Sequence, residues 1–431
     1  MPVLRIAAAL AGLLLVALTL RSAVRTFVLP RSARDPITRT IFFATRVLFD
    51  ARLRFTRDYP GRDRVMALYA PFTVLGLMAC WVALVGLGYA VIFWAFGETP
   101  AHAIDLSGST LLTLGFEKPR GHAETWVAFT EGAIGLTLVA LLVSYLPAMY
   151  TAFARREALV TMLEIRAGSP PEAAELLVRT HELGGMEQID LLWGEWQQWF
   201  VELEESHTSL GALTFFRSPQ PQRSWVTAAG AALDAVSLAG AVLRRGPSAQ
   251  ERLTLRAGAF ALRRIAEFFA IPFDAHPDAS GPVSVRRHEF DAAYRRLVES
   301  NVDVCTDPEQ AWADFVAMRA QYDEVLLALA ALTMAPEAPW SSDRAERRRS
   351  RLEPDGRRYT DPLGGPTPTT SGDRARAVPS AAPRTPDPTA LDGGLDGREG
   401  EALHACGTGQ EAPAAAGAGD AHAQSTAAPE R

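Results

Sequence analysis

Two long stretches of this chain contain no charged residue: residues 65–96 and residues 132–153. A helix needs about 20 apolar residues to cross the ~30 Å hydrocarbon core of a bilayer. Both stretches are long enough, and only helices and closed barrels satisfy their backbone hydrogen bonds in lipid. We therefore predict two membrane-spanning helices, at 65–96 and at 125–153, the second of which carries Glu131 in its outer part.

A third apolar run, residues 6–20, lies between Arg5 and Arg21 near the N-terminus. Its length also fits a secretory signal peptide. The segment that follows, residues 21–64, contains eleven arginines and four aspartates, and such an excess of positive charge is typical of the cytoplasmic side. The charge pattern favours an uncleaved span over residues 1–22, with terminal arginines that reach the headgroups.

This orientation predicts a multi-pass protein of the plasma membrane (the inner membrane of the cell), with its N-terminus outside and its C-terminal domain in the cytoplasm. Residues 23–64 then form an Arg-rich cytoplasmic segment. Within it the stretch ITRTIFFATRVLFDARLRF interleaves Phe and Leu with Arg. That pattern predicts an amphipathic helix, which lies in the inner membrane interface or packs on the cytoplasmic domain.

The later part of the chain separates into a helical and a polar region. Between residues 154 and 335, apolar residues recur at three- and four-residue steps, as in Trp312, Phe315 and Tyr322. This periodicity predicts a cytoplasmic domain of five to seven helices. Residues 336–431 are rich in Pro, Gly, Ala, Thr, Asp and Arg, so we expect a disordered tail that cannot bury enough apolar surface to fold.

The stretch AIDLSGSTLLTL, residues 103–114, lies between the two long spans, is too short to cross a membrane and is almost free of charge. A re-entrant helix explains both properties, because non-spanning backbone is tolerated at membrane depth only where protein shields it. We predict a short helix at about 102–112. The extended return follows at 113–116, where Gly115 permits left-handed torsions.

This plan resembles the pore domain of potassium channels, in which a filter of the form TVGYG or TVGFG follows a short pore helix. Over residues 65–153 the resemblance implies an outer helix at 65–96, a pore loop at 102–118 and an inner helix at 125–153. It further implies four copies around one axis and carbonyl oxygens that replace the ion's water. The resemblance assigns the ion filter to Thr113, Leu114, Gly115 and Phe116, and the inner-helix hinge or kink to Gly132, Gly135 and Pro147.

The outer mouth departs from the family's pattern, with Glu117 in place of the second filter glycine and Lys118 in place of the acid that follows it. A non-glycine residue is strained in the family's filter backbone. Four glutamates near the mouth attract cations, and Lys118 opposes them or pairs with Glu117. Selective potassium conduction, a less selective cation pore and a non-conducting scaffold all remain open.

The predicted fold class is all-α. It is a membrane protein with three transmembrane helices and a re-entrant pore helix and filter loop, followed by an α-helical cytoplasmic domain and a disordered tail. The predicted function is a potassium-channel-like pore subunit that conducts monovalent cations passively as a homotetramer in the lipid bilayer. The alternative is a non-conducting or weakly selective scaffold or sensor, whose cytoplasmic helices bind a protein partner.

Other chemistry has little support in the sequence. There is no nucleophile elbow, no Gly-rich phosphate loop, no CxxC pair and no GxGxxG after a strand, so we expect no enzyme, no resident cofactor, no structural metal and no nucleic-acid partner. K+ is expected only as the transported ion. Glu131 either lies at headgroup level, which we favour, or supports the filter from behind through Ser109 or Thr110. His102 and His122 are interpreted as surface histidines.

Overall fold

The computed structural model describes residues 2–27, 35–56 and 58–344, and this part of the chain is helical, with no strand and one isolated β-bridge between Leu243 and Val304. The all-α fold class is confirmed for these residues. The helices are α1 (Pro2–Phe27), α2 (Pro36–Leu53), α3 (Tyr59–Ala67), α4 (Tyr69–Phe96), α5 (Pro100–Leu111), α6 (His122–Ala167), α7 (Ala173–Glu182), α8 (Ile189–Ser209), α9 (Trp225–Val242), α10 (Ala249–Phe268), α11 (Arg287–Glu299), α12 (Pro308–Ala320) and α13 (Asp323–Thr333).

Four helical segments are long and apolar enough to cross a membrane: α1, α3 with α4, α6 and α9. Three of them correspond to the predicted spans and keep large apolar side chains exposed, such as Leu13, Leu75 and Leu136. Helix α9 differs because every one of its residues is buried by other helices of the same chain. It therefore forms the centre of the C-terminal helical domain and has no surface left for lipid, whereas α1, α4 and α6 indicate a membrane-embedded protein.

Helix α1 packs closely along α4. A Cβ atom on Gly12 would lie 2.5 Å from the carbonyl oxygen of Gly88, so both positions require the small residue that membrane helix pairs use for close approach. Farther along α1, Ser22 accepts a hydrogen bond from Trp81 Nε1 (3.0 Å) and donates one to Asp35 (2.5 Å), which caps α2. These contacts fix α1 against both α4 and α2.

Helix α2 uses its two faces differently. Phe42 is buried, with its ring centroid 6.4 Å from that of Tyr69 and 6.4 Å from that of Phe215 in the C-terminal domain. On another side of the helix, Val47 and Leu48 are 51% and 68% exposed. The helix thus packs on the C-terminal domain, one of the two predicted alternatives, and still presents an apolar face that suits a membrane interface.

Helix α6 runs without interruption for 46 residues, from His122 to Ala167. It passes the predicted inner-helix end at 153 and continues into the C-terminal domain. Gly132, Gly135 and Pro147 all lie inside this one helix. One continuous helix therefore connects the C-terminal domain with the part of the chain that faces α5.

The C-terminal domain surrounds α9 with helices α7, α8, α10, α12 and α13. Trp193, Trp196 and Trp199 of α8 lie in its core, each at most 2% exposed. The indole N–H of Trp193 donates to Glu251 (3.2 Å) and that of Trp199 donates to the carbonyl of Arg156 on α6 (3.2 Å). The Trp199 bond therefore attaches this core to the domain end of α6.

The predicted start of the disordered tail, residue 336, comes too early. The Trp340 ring lies 5.5 Å from that of Phe315, its carbonyl accepts a hydrogen bond from Arg319 (2.6 Å), and Ser341 and Ser342 are buried. One aromatic side chain anchors an otherwise Pro- and Ala-rich segment on the domain. The rest of the predicted tail, beyond Arg344, lies outside the described residues.

Candidate functional site

Helix α5 begins at a defined signal: the Thr99 hydroxyl accepts a hydrogen bond from the backbone N–H of His102 (3.4 Å), and Pro100 occupies the first turn. Its 12 residues correspond to a length of about 18 Å, roughly half of a bilayer. The helix lies between α4 and α6, and its bounds are close to the 102–112 predicted from the sequence. The local sequence thus suffices to define this helix.

Ser107 connects α5 to both neighbouring helices. Its hydroxyl lies 2.9 Å from the carbonyl oxygen of Gly86 on α4 and within hydrogen-bond distance of the Glu131 carboxylate on α6. Glu131 is completely buried, and its Oε2 has no hydrogen-bond partner within the described part of the chain. Glu131 shares the α5-facing side of α6 with Gly135 and Leu138, and its partner on α5 is Ser107 instead of the Ser109 or Thr110 that the alternative expectation named.

Gly135 and Gly132 make different contacts with α5. A Cβ atom on Gly135 would overlap the carbonyl oxygen of Leu111, whereas one on Gly132 would lie 3.7 Å from the carbonyl oxygen of Thr110, an ordinary contact. Gly135 therefore serves close packing between α6 and the C-terminus of α5. Neither glycine interrupts the helix, so the predicted hinge role has no counterpart in this conformation.

The backbone amides after α5 are directed back to the helix they have just left. Leu114 N–H donates to the carbonyl of Ser109 (2.8 Å), as does Gly115 N–H (3.3 Å), and Thr113 N–H donates to the carbonyl of Thr110 (3.0 Å). Glu117 N–H donates to the Ser109 hydroxyl (3.0 Å). The bonds from Leu114 N–H to Ser109 and from Thr113 N–H to Thr110 form a Schellman-type helix end. Ser109 accepts further bonds from Gly115 through its carbonyl and from Glu117 through its hydroxyl.

The torsions of this loop alternate in sign. Thr113 (φ 56°) and Gly115 (φ 73°) are left-handed, while Leu112 (φ −86°) is not, and neither Leu114 nor Phe116 has a positive φ. A positive φ is a genuine outlier for a β-branched residue such as threonine. Such a conformation costs on the order of 1–3 kcal/mol and persists only where its surroundings impose it.

The carbonyl oxygens of the same loop are unpaired. Within residues 2–27, 35–56 and 58–344, no donor is hydrogen-bonded to the carbonyl of Thr113, Leu114, Gly115 or Phe116. The side chains of Leu114 and Phe116 are each 63% exposed. One copy of the chain thus leaves four successive carbonyl oxygens without a donor beside exposed apolar side chains, a combination that costs free energy in lipid unless something covers it.

Glu117 pairs with a histidine instead of the neighbouring lysine. Its carboxylate lies 3.6 Å from His102 Nδ1, and His102 Nε2 lies 3.5 Å from Glu98, which is itself 3.4 Å from Arg120 Nη1. Lys118 is exposed and makes no ion pair with a described residue. The interpretation of His102 as a plain surface histidine is wrong, since its side chain is only 17% exposed and stands between two glutamates.

A second cluster, which the sequence did not reveal, attaches the inner end of α6 to the domain. Arg156 is 3% exposed, pairs with Glu157 (2.8 Å) and donates to the carbonyls of Leu213 (2.9 Å) and Phe216 (2.8 Å). Burial lowers the pKa of Arg156. Burial, together with Arg156, also lowers the pKa of the adjacent His207 well below its usual value. In the sequence, Arg156 is indistinguishable from an ordinary cytoplasmic charge after a span.

Arg217 makes a third connection, between the start of the long spans and the end of the domain. It pairs with Asp63 on α3 (3.0 Å) and donates to the carbonyls of Met334 (2.9 Å) and Thr333 (2.6 Å). Burial raises the pKa of Asp63, against the lowering effect of Arg217, and raises that of the nearby Tyr59 to about 12. The membrane helices and the domain are therefore joined through buried polar contacts.

Comparison with known protein families, with curated proteins and with solved structures finds no match for this chain. Within the described residues there is also no group of three or more His, Cys, Asp or Glu side chains suited to holding a metal ion. Functional inference therefore rests on the geometry around α5 and the loop that follows it.

Proposed function

We propose that this protein is one subunit of a membrane pore that conducts monovalent cations, with K+ as the transported ion. The observation that carries the proposal is the difference between the amide and the carbonyl groups of the loop at residues 113–116. Its amide groups are bonded to α5, and its carbonyl oxygens have no donor among the described residues. Rows of backbone carbonyls are the ligands with which potassium-selective filters replace the hydration shell of the ion.

Two further features favour a cation at this place. A helix C-terminus carries a partial negative charge, and the C-terminus of α5 lies directly before the loop. In addition, the alternating left-handed torsions at Thr113 and Gly115 suit a chain whose successive carbonyls turn toward one side. Both features act through the backbone, and glycine adopts the left-handed torsion at 115 without strain, whereas threonine at 113 does so at a cost.

The pore requires several copies of the chain, and the resemblance to potassium channels implies four. One chain supplies a single loop, which cannot surround an ion. The exposed apolar side chains of Leu114 and Phe116, with those of Leu136, Val139 and Val143 on α6, offer surfaces that neighbouring copies or lipid would cover. The arginine-rich segment before α4 supports an orientation with the C-terminal domain in the cytoplasm.

The ion preference of the pore depends on its outer end. Glu117 replaces the second glycine of the family's filter, so this pore offers the four carbonyls of 113–116 together with a carboxylate that lies 3.6 Å from His102. We propose K+ as the preferred ion because carbonyl ligands form the narrow part. The acidic mouth would concentrate cations of either kind.

Flux through reconstituted protein tests this function. The purified oligomer is inserted into liposomes that contain K+ or Na+, and cation efflux is followed with a membrane-potential dye. We expect efflux with K+ preferred over Na+. Equal efflux rates for K+ and Na+ would show a cation pore that does not select potassium. An absence of efflux from intact oligomers, at several pH values and at both polarities, would contradict conduction and favour a membrane scaffold.

A further inference from the structure

A cavity lies where the transmembrane helices meet the C-terminal domain. Its walls come from the end of α1, from α2, from the first turns of α4, from α6, from the end of α8 with the segment that follows it, and from the last residue of α10. It is an open cleft, with about 580 Å³ of space when the solvent at its mouth is included. The lining is largely apolar, with Phe42, Leu77 and Phe268 among its side chains.

Tyr145 of α6 gives this cavity an unsatisfied polar group. The residue is 7% exposed, and its ring lies 4.3 Å from that of Phe27. No described residue makes a hydrogen bond to its hydroxyl, which is not among the fully enclosed polar atoms and belongs to a residue that lines the open cavity. A ligand with a polar group inside the cavity would provide that partner.

The rim of the cavity carries positive charge and hydroxyl groups. Arg25 lines the cavity, is exposed and has no ion-pair partner among the described residues. Thr26 and Thr38 form a hydroxyl pair beside it (2.8 Å), and Ser209 lies in the lining on the side of the domain. A guanidinium next to hydroxyl groups is suited to a phosphate group.

We propose that this cavity is a binding site for one anionic phospholipid, from the leaflet on the side of the C-terminal domain. The headgroup phosphate pairs with Arg25 at the rim. An acyl chain enters between the apolar walls, and an ester oxygen near its start accepts the hydrogen bond of the Tyr145 hydroxyl. The lining indicates this occupant. The unpaired Arg25 matches an anionic headgroup, the Tyr145 hydroxyl matches the ester linkage, and the apolar walls match a hydrocarbon chain.

The site goes beyond the proposed pore, because its existence depends only on the membrane position of α1, α4 and α6. It has a consequence for the pore as well. Tyr145 belongs to the same continuous helix that contacts α5 at Gly135, so an occupant would touch α6 directly. Binding is measured without reference to flux, so failure of this proposal and failure of the proposed function are distinguishable.

Lipid binding to the full-length protein is measured by native mass spectrometry from detergent, with dioleoylphosphatidylglycerol and dioleoylphosphatidylcholine as matched probes. We expect about one tightly bound phosphatidylglycerol per chain and weaker binding of phosphatidylcholine. Arg25→Gln should reduce the affinity for phosphatidylglycerol about fivefold and abolish the preference. Tyr145→Phe, which removes one oxygen and keeps the ring, should reduce the affinity for both lipids about two- to tenfold.

Arg21→Gln is the matched control, because Arg21 lies one turn earlier on α1, is exposed and does not line the cavity. It should leave both affinities unchanged. Equal binding of the two lipids, or equal losses from Arg21→Gln and Arg25→Gln, would indicate lipid held only by general surface charge and would overturn the proposal. Undiminished binding to Tyr145→Phe would also overturn it, and the variant's melting temperature without lipid shows whether it is folded.

Discussion

Gly135 on α6 and Leu111 on α5 approach so closely that a side chain on Gly135 would overlap the carbonyl oxygen of Leu111. Leu111 is the last residue of α5, so this contact sets the position of the helix end from which the loop at 113–116 departs. On the other side of α5, Ser107 lies against the carbonyl of Gly86. The loop thus starts from a helix held between α4 and α6.

Gly135→Ala should destabilise the protein by about 1–3 kcal/mol, because the added methyl group has to displace backbone. Gly132→Ala is the matched control in the same helix, since its methyl group would make only ordinary contacts. Its stability should stay the same or rise by up to about 1 kcal/mol, owing to the better helix propensity of alanine. Thermal unfolding in detergent, followed by circular dichroism, compares the two. Equal melting temperatures would contradict the packing role of Gly135.

Arg217→Met should loosen the C-terminal domain from the membrane helices. It would leave the buried Asp63 without its cation, and removing one partner of a buried pair costs about 3–5 kcal/mol. Arg244→Met removes an exposed pair with Asp303, whose side chain is 75% exposed, and should cost at most about 1 kcal/mol. Limited proteolysis and thermal unfolding measure both effects. Similar losses in the two variants would show that the Arg217 contacts do not hold the domain.

His207 should make the protein sensitive to acid. Its pKa in the folded state is lowered by burial and by Arg156, so the unfolded chain binds this proton more tightly. Stability is therefore fully present above the ordinary histidine pKa of about 6.5 and falls as the pH decreases below that value. Melting temperatures between pH 8 and pH 5 should show this decline.

His207→Gln is the variant that isolates the effect. Glutamine can still donate a hydrogen bond to the carbonyl of Leu203, which the histidine ring contacts at 2.9 Å, but it does not titrate. The variant should lose some stability at pH 8 and show a shallower decline toward pH 5. A decline as steep as that of the unchanged protein would assign the acid sensitivity to other groups.

Much of the membrane part is predictable from sequence because its signals are local. Charge-free runs mark α4 and α6, and Thr99 with Pro100 marks the start of α5. The residues that join helices could not be predicted in this way, because their contacts depend on how each helix is rotated against its neighbours. The burial of Glu131, the packing of Gly135 and the position of His102 between two glutamates all follow from those rotations.

In the C-terminal domain, too, the contacts between helices could not be predicted from the sequence. Its helical periodicity is visible in the sequence, yet α9 is long and apolar enough, despite Asp234, to form a fourth span. Only the surrounding helices show that it is a core element. Arg156 likewise has the sequence signature of a membrane-flanking charge, and its buried contacts depend on a turn some 60 residues later in the chain.

The most direct test of the central claim is K+ efflux from liposomes for three proteins: the unchanged chain, Gly115→Ala and Gly108→Ala. Neither alanine would meet any atom within 4 Å, but Gly115 has φ 73°, where an alanine costs about 1–2 kcal/mol. We expect K+ efflux from the unchanged chain and from Gly108→Ala, and none from intact oligomers of Gly115→Ala. No efflux from the unchanged chain, or undiminished efflux from Gly115→Ala, would contradict the central claim.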